Sequence, residues 1–184
     1  MKRRLTLLAL AASGLAATAS VQAQSPVLIG QWTSAATENN GTHFASRRFV
    51  FTDTHWSVVY RAFADAQARQ PLFTLQVAGT YLVGGPSRAV SGAYEGIFPA
   101  NMRQLTADSE GGVQMFAAMG CKLEVGKPTT LVSEGCGFVP GTMQAMGEYD
   151  LIAVRDGRVY FGDRSADLTK ARPDRLTAYP LVKQ

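Results

Sequence analysis

The sequence predicts an all-β fold, an antiparallel half-open β-barrel with one short helix. Apolar and polar residues alternate at period two through most of residues 24–184, which is the pattern of strands with one buried face. Turn residues separate these runs, and glycines lie inside the longer ones, where bends let a sheet curl. Helical periodicity is almost absent, so we expect antiparallel strands joined by short turns.

The N-terminal residues 1–23 have the order of a secretory signal peptide. Residues 2–4 are Lys-Arg-Arg, and an apolar run of small residues and Leu follows over 5–19. This run of about 15 residues is short of the roughly 20 that a membrane anchor needs, and Val21-Gln22-Ala23 suits a signal peptidase. We therefore expect a periplasmic or secreted protein that begins at Gln24 and does not span a membrane.

Composition gives one domain, residues 24–184, and no basic surface. A chain of this length is an ordinary single domain with its own core. The formal net charge is +4, and three of the positive residues belong to the predicted signal, which leaves about +1. No basic stripe remains in the domain, so we expect no nucleic-acid partner.

The first half of the domain predicts one strand followed by a hairpin. Residues 27–33 alternate and form the first strand, and residues 39–42 have the chemistry of a loop. Residues 47–52 and 55–64 alternate on either side of Asp53-Thr54, which predicts two paired strands. The middle of the domain predicts a second, longer hairpin.

In that second hairpin, residues 72–83 and 88–98 are the predicted strands, and Gly84-Gly85-Pro86-Ser87 is the predicted turn. Residues 108–119 form the one short helix that we predict, although two glycines lower its helix propensity. Residues 120–147 are rich in loop residues.

The C-terminal part predicts a third hairpin and a closing strand. Asp156-Gly157 lies between two alternating runs, 149–155 and 158–162, and suits a type I′ turn. Residues 176–182 then provide a last strand.

Catalytic motifs are absent from the sequence. There is no G-x-S-x-G elbow, no H-E-x-x-H and no glycine loop before a helix. We therefore predict a protein that is not an enzyme and has no cofactor and no metal site. Glu95 and Glu148 form a carboxylate pair only if the fold brings them together.

Cys121 and Cys136 are the only cysteines. In an exported protein two cysteines most often form one disulfide, and this is the pairing we predict. Two free thiols, or a metal site assisted by His43 and His55, are the alternatives.

A Trp near the start of the domain is typical of small-ligand barrels. Gly30-Gln31-Trp32 lies on the first predicted strand, and G-x-W in that place is similar to the start of lipocalins and other calycins. There the Trp plugs the closed end of the barrel. We expect Trp32 to be a core residue at the floor and not a ligand contact.

Large apolar side chains alternate along the four central strands. They are either simply core or the lining of a cavity inside a curled sheet. The predicted lining residues are Phe51, Trp56, Tyr60, Phe73, Leu75, Tyr81, Tyr94 and Phe98. The opposite register, with Val59, Phe63, Leu82 and Ile97 facing inward, is the alternative, because a slip of one residue exchanges the two faces.

Several motifs, in order along the chain, resemble the adenomatosis polyposis coli down-regulated 1 domain family. They are GQWTS from Gly30, FASRRFVF from Phe44, the stretch from Trp56 to Tyr60, PLFTL from Pro71 with Gly79, Gly135-Cys136, EYDL from Glu148, YFGDR from Tyr160, Arg172-Pro173 and YPLV from Tyr179. Single-domain bacterial relatives of that family are expected to resemble this chain.

The resemblance implies a half-open antiparallel β-barrel whose hydrophobic pocket takes lipid, including the acyl chain of Wnt. A further cysteine pair of that family, near Ala36 and Ala68 here, is absent, and its joint loss favours pairing of Cys121 with Cys136. For a bacterial chain the resemblance implies the pocket and not the pathway.

Together these observations predict an exported domain that binds a lipid, an acyl chain or another small hydrophobic molecule. A carboxylate head group of such a ligand would meet Arg47, Arg61 or Arg88 at the rim, unless these arginines are simply solvent-exposed. The alternative function is a non-catalytic protein-interaction domain of the cell envelope, with an envelope protein as its partner.

Overall fold

A computed structural model describes residues 25–184, so the predicted signal peptide, residues 1–23, lies outside the described residues. Within 25–184, one antiparallel sheet of twelve strands and one helix make up the regular structure. The elements are β1 (Gly30–Ser34), β2 (Glu38–Asn39), β3 (Phe44–Phe51), β4 (His55–Phe63), β5 (Pro71–Thr80), β6 (Leu82–Pro86), β7 (Tyr94–Phe98), β8 (Ala100–Ala107), α1 (Glu110–Ala117), β9 (Thr129–Thr130), β10 (Glu148–Arg155), β11 (Arg158–Phe161) and β12 (Leu181–Lys183).

The sheet curls so far that strands distant in its order face each other. The order is β6-β7-β10-β11-β12-β1-β3-β4-β5-β8-β9, with β2 paired to β3. In a flat sheet β7 and β4 would be about 29 Å apart. Yet the ring centroids of Trp56 on β4 and Phe98 on β7 are 5.4 Å apart. The sheet therefore wraps around its own inner face without closing into a barrel, and the all-β prediction with one short helix is confirmed.

One long hairpin bends sharply and contributes to two distant parts of the sheet. Strands β5 and β6 pair with β8 and β7, and Gly79 lies opposite Ala100 at the bend. A Cβ atom on Gly79 would lie 1.9 Å from the carbonyl oxygen of Pro99. This close approach of two backbones needs glycine. Beyond the bend the outer half of the hairpin lies at the opposite end of the strand order.

The predicted bounds of this hairpin are wrong in three places. Gly84-Gly85-Pro86 is not a turn but the end of β6, an edge strand, where Pro has no ladder bond to lose. Residues 88–93 form the turn instead of a return strand, which begins only at Tyr94. Strand β8 was not predicted at all, because a charged residue, Arg103, stands in the inward parity that is otherwise apolar.

The other predicted elements are present with adjusted bounds. Helix α1 is capped by the Ser109 hydroxyl, which accepts a hydrogen bond from the Gly112 N–H. Asp156 and Gly157 both have positive φ, 51° and 70°, as a type I′ turn requires. The first strand begins at Gly30 and the last is β12 alone, so both are shorter than predicted.

Two apolar clusters lie on the inner face of the sheet. The first, which we call the floor cluster, includes Leu28, Trp32, Phe51 and Leu181. In it the Trp32 indole N–H donates to the Leu28 carbonyl oxygen over 2.6 Å. The second cluster lies under α1 and contains Phe73, Phe116 and Cys136. Both clusters belong to one face, so the space between them is the interior of the curled sheet.

The disulfide Cys121–Cys136 is present, with 5.6 Å between its Cα atoms, and this prediction is confirmed. It ties the end of α1 to the loop that follows β9. No helix in residues 25–184 has the length and apolarity needed to cross a membrane.

Candidate functional site

A cavity of about 1190 Å³ lies inside the curled sheet. Its apolar wall comes from the inner faces of β3, β4, β5, β7 and β11, since side chains of one parity share a face. The apolar residues of this wall are Phe49, Trp56, Val58, Phe73, Leu75, Val77, Phe98 and Phe161. Its volume exceeds the roughly 300–1,000 Å³ of most small-molecule pockets.

The structure brings five of the eight predicted lining residues to this cavity, namely Trp56, Tyr60, Phe73, Leu75 and Phe98. The other three lie outside its wall. Phe51 and Tyr81 pack against each other and against Phe98 in or beside the floor cluster. Tyr94 is buried at the end of β7 opposite Ile152. A role of these residues in ligand binding stays a prediction.

The alternative register does not supply the wall. Val59, Phe63, Leu82 and Ile97 do not line the cavity, and Leu82 is 67% exposed. The predicted face thus lies inward, which leaves the identity of a ligand open.

A group of four charged side chains forms one polar part of the cavity wall. Arg103 on β8 donates through Nη2 to the Glu148 carboxylate over 2.7 Å. Glu148 also accepts from Arg164, which lies 3.3 Å from the Asp150 carboxylate. Arg103 and Asp150 are each only 4% exposed. Two guanidinium groups and two carboxylates therefore share one site, in which Arg103, Glu148 and Asp150 are largely buried and the Arg164 side chain is 52% exposed.

The two carboxylates of this group have opposite pKa shifts. Burial raises the pKa of Asp150 to about 6, although Arg164 and the N–H groups of Gly162 and Leu151 act against it. Burial also raises the pKa of Glu148, but Arg164 and Arg103 together outweigh it, so the net pKa is lowered. Near neutral pH the four formal charges sum to zero.

Asp150→Asn is expected to change how stability depends on pH. The pKa of Asp150 rises from 3.8 unfolded to about 6 folded, so its ionisation destabilises the folded state as pH rises from 4 to 6. Asn cannot ionise. Acidification from pH 7 to pH 4 should therefore stabilise the parent relative to the variant by about 2 kcal/mol.

Urea unfolding of both proteins across this pH range measures the difference. His43 titrates in both proteins, and its contribution largely cancels. Glu148 interacts with the charge of Asp150, so the sign of the difference, and not its size, is the test. A difference that does not change with pH, or that changes in the opposite direction, would contradict the assignment.

A second polar group in the cavity wall consists of Asn40, His43 and Tyr60. His43 and the Tyr60 hydroxyl share a hydrogen bond of 2.5 Å, and Asn40 donates to the same hydroxyl. Burial lowers the pKa of His43, and burial together with Glu38 raises the pKa of Tyr60 to about 12. Both groups are therefore neutral near pH 7.

A tight turn at Gly137-Phe138 also lines the cavity. Cys136 and Val139 exchange two backbone hydrogen bonds across it. The Phe138 ring lies 6.2 Å from His43 in a stacked geometry and 5.8 Å from Phe73. Because Cys136 is in the disulfide, its covalent bond to Cys121, four residues after the end of α1, restrains this turn.

Of the three arginines proposed for the rim, only Arg47 lines the cavity. It is buried and donates through Nε to Glu38 over 2.8 Å. Arg61 and Arg88 are exposed and do not line the cavity. Glu95 and Glu148 do not pair either, because Glu95 contacts Arg172.

Sequence reasoning missed Arg103, Arg164 and Asp150. The available signal was a charged residue in an apolar parity class, as in Arg103, Leu105 and Ala107, which are all buried on one face. An inward-facing charge of this kind indicates a buried partner.

The part of the chain that the structure describes has no candidate metal site. Residues 25–184 contain no group of three or more His, Cys, Asp or Glu side chains that could hold a metal ion.

Comparison with known proteins identifies a family. A family model described as adenomatosis polyposis coli down-regulated 1 matches residues 12–123. The match includes β1 to β8, α1 and the first cysteine of the disulfide. A search of curated proteins finds no match.

Proposed function

Because the chain belongs to the adenomatosis polyposis coli down-regulated 1 family, we propose that it is an exported domain that binds a lipid or another small hydrophobic molecule. The observation that carries the proposal is the cavity of about 1190 Å³ with an apolar and largely aromatic wall. A disulfide supports the periplasm or the cell exterior as its location, since disulfides persist in oxidising compartments.

A long acyl chain suits this wall energetically. Transfer from water contributes up to about 0.8 kcal/mol for each CH₂ group buried. Ordering of the ligand and of the wall opposes this gain. We therefore expect micromolar binding without any charged contact. The function we propose is ligand binding and not catalysis.

A protein-interaction domain of the cell envelope is the second candidate. One observation favours it, namely the exposed apolar side chains of the segment 132–146. Val132, Phe138, Met143 and Met146 are 53%, 52%, 64% and 69% exposed, and the backbones of Val132 and Met143 are hydrogen-bonded. Exposed apolar patches often mark interaction sites.

Leu75→Asp should weaken binding of a fluorescent long-chain fatty acid by at least about tenfold, because it places a charge in the apolar wall. Leu75 is half-buried and lines the cavity, whereas the neighbouring Gln76 is exposed on the outer face. Gln76→Asp is therefore the matched control and should bind as the parent does. The measurement is a titration of delipidated protein, with circular dichroism to verify the fold.

A second variant keeps the test independent of stability. Leu75→Trp fills cavity volume without adding a charge and should also weaken binding of the fatty acid. The same titration with the fluorescent fatty acid measures this binding, since the added Trp, in the same cavity wall as Trp56, changes the intrinsic fluorescence. Absence of saturable binding in the parent, or equal binding in all variants, would contradict the proposal and favour the interaction domain.

A further inference from the structure

Arg103 has more hydrogen-bond donors than it has acceptors among the described residues. A guanidinium group carries five N–H donors and no acceptor. Its Nη2 donates to Glu148 and, over 3.4 Å, to the Ala145 carbonyl oxygen. Within residues 25–184, Nη1 donates to none of the described groups, and Nε, which also has no hydrogen-bond partner, is enclosed by protein with almost no accessible surface. A buried charged donor without an acceptor is costly, so such groups usually have a partner.

Arg103 belongs to the wall of the cavity, so Nη1 and not the enclosed Nε is the donor within reach of a ligand. The residue is 4% exposed and lines the cavity. On β8 it lies opposite Val77 of β5, and Val77 belongs to the apolar wall. A hydrogen-bond donor thus adjoins a surface suited to a hydrocarbon chain.

The charges around Arg103 determine what kind of acceptor fits. Arg103 and Arg164 are balanced by Glu148 and Asp150, which contact them. A ligand carboxylate would add an unbalanced negative charge to a buried site, which is unfavourable. An uncharged acceptor oxygen satisfies the free Nη1 donors and keeps the balance.

We propose that Arg103 binds the carbonyl oxygen of an uncharged acyl group, such as a fatty acyl ester, whose chain lies along the apolar wall of the cavity. This inference rests on the proposed function and adds the ligand's polar group and the residue that recognises it. Arg103 thereby selects for esterified over free fatty acids and over plain hydrocarbons.

A comparison of three ligands on the delipidated protein tests the inference. The ligands are a long-chain fatty acid, its methyl ester and the hydrocarbon of the same length, each delivered from cyclodextrin at pH 7 and followed by Trp fluorescence. In the parent, the ester should bind about tenfold more tightly than the hydrocarbon, as expected for a hydrogen bond to a charged group. The ester should also bind more tightly than the acid.

Two variants test whether Arg103 causes the preference for the ester over the hydrocarbon. Arg103→Met removes the donors and should reduce the ester preference over hydrocarbon to about one. Arg103→Lys keeps a charge beside Glu148 and should reduce it several-fold, which tests the inference even if Arg103→Met does not fold. Arg61→Lys, on the exposed outer face of β4, is the control and should keep the parent preference.

The outcomes separate the two proposals. Binding of the hydrocarbon and the ester with equal affinity, or an ester preference that survives in the Arg103 variants, would overturn the inference and leave the proposed function standing. Tighter binding of the acid than of the ester would overturn the choice of an uncharged group. No binding of any of the three ligands would overturn both proposals.

Discussion

Gly79→Ala is expected to lower the free energy of unfolding by about 3 kcal/mol or more. The added Cβ would lie 1.9 Å from the Pro99 carbonyl oxygen and 2.9 Å from the Ala100 Cα. That carbonyl oxygen also accepts hydrogen bonds from the Thr80 N–H and the Trp56 indole. The clash is with the backbone of Pro99 and Ala100, which cannot move aside as a side chain can. It is therefore relieved only by opening the bend of the hairpin.

Gly85→Ala is the matched control in the same hairpin. No atom lies within 4 Å of a Cβ at Gly85, and its φ is not positive. Its stability should therefore stay within about 0.5 kcal/mol of the parent. Urea unfolding followed by tryptophan fluorescence compares the two. Equal stability of the two variants would show that the bend does not depend on Gly79.

Phe73→Ala should lower the free energy of unfolding by about 3–5 kcal/mol, because truncation of a fully buried ring leaves a cavity. Phe73 has no exposed surface. Its ring lies 5.0 Å from that of Phe116 on α1 and 5.9 Å from that of Tyr60 on β4. Its removal therefore weakens the attachment of the helix to the sheet.

Phe138→Ala provides the comparison for Phe73→Ala. The Phe138 ring is also in contact with Phe73 but is 52% exposed, so its truncation should cost about 1 kcal/mol. Thermal and urea unfolding of the two variants measure the difference. A loss for Phe73→Ala no larger than that for Phe138→Ala would contradict the placement of Phe73 in the core.

Some features follow from local chemistry and were accessible from the sequence. Alternation at period two placed Trp56 and Phe73 each on the apolar face of its strand, because neighbouring residues of a strand point to opposite sides. Asp156-Gly157 predicted its turn, since only such residues adopt positive φ at both positions without strain. The disulfide followed from the presence of just two cysteines in a chain expected to be exported.

Other features were misjudged because two local rules competed. Gly84-Gly85-Pro86 has the composition of a turn, but at a sheet edge the same residues extend β6. The bend of the hairpin lies instead at Gly79, where nothing in the local sequence distinguishes this glycine from others. Only the approach of the Pro99 carbonyl oxygen identifies it.

The sequence by itself determined the all-β class, the division of most strands into two alternating faces and the aromatic character of one of them. The tertiary structure alone decided which of the two faces lies inward and which polar groups meet there. Arg103 and Glu148 are 45 residues apart, on β8 and β10, and they pair only because the curled sheet brings these strands to one cavity. Period two fixes the side of the sheet on which a residue lies, whereas the partner across the interior depends on curvature, which arises from contacts distant in sequence.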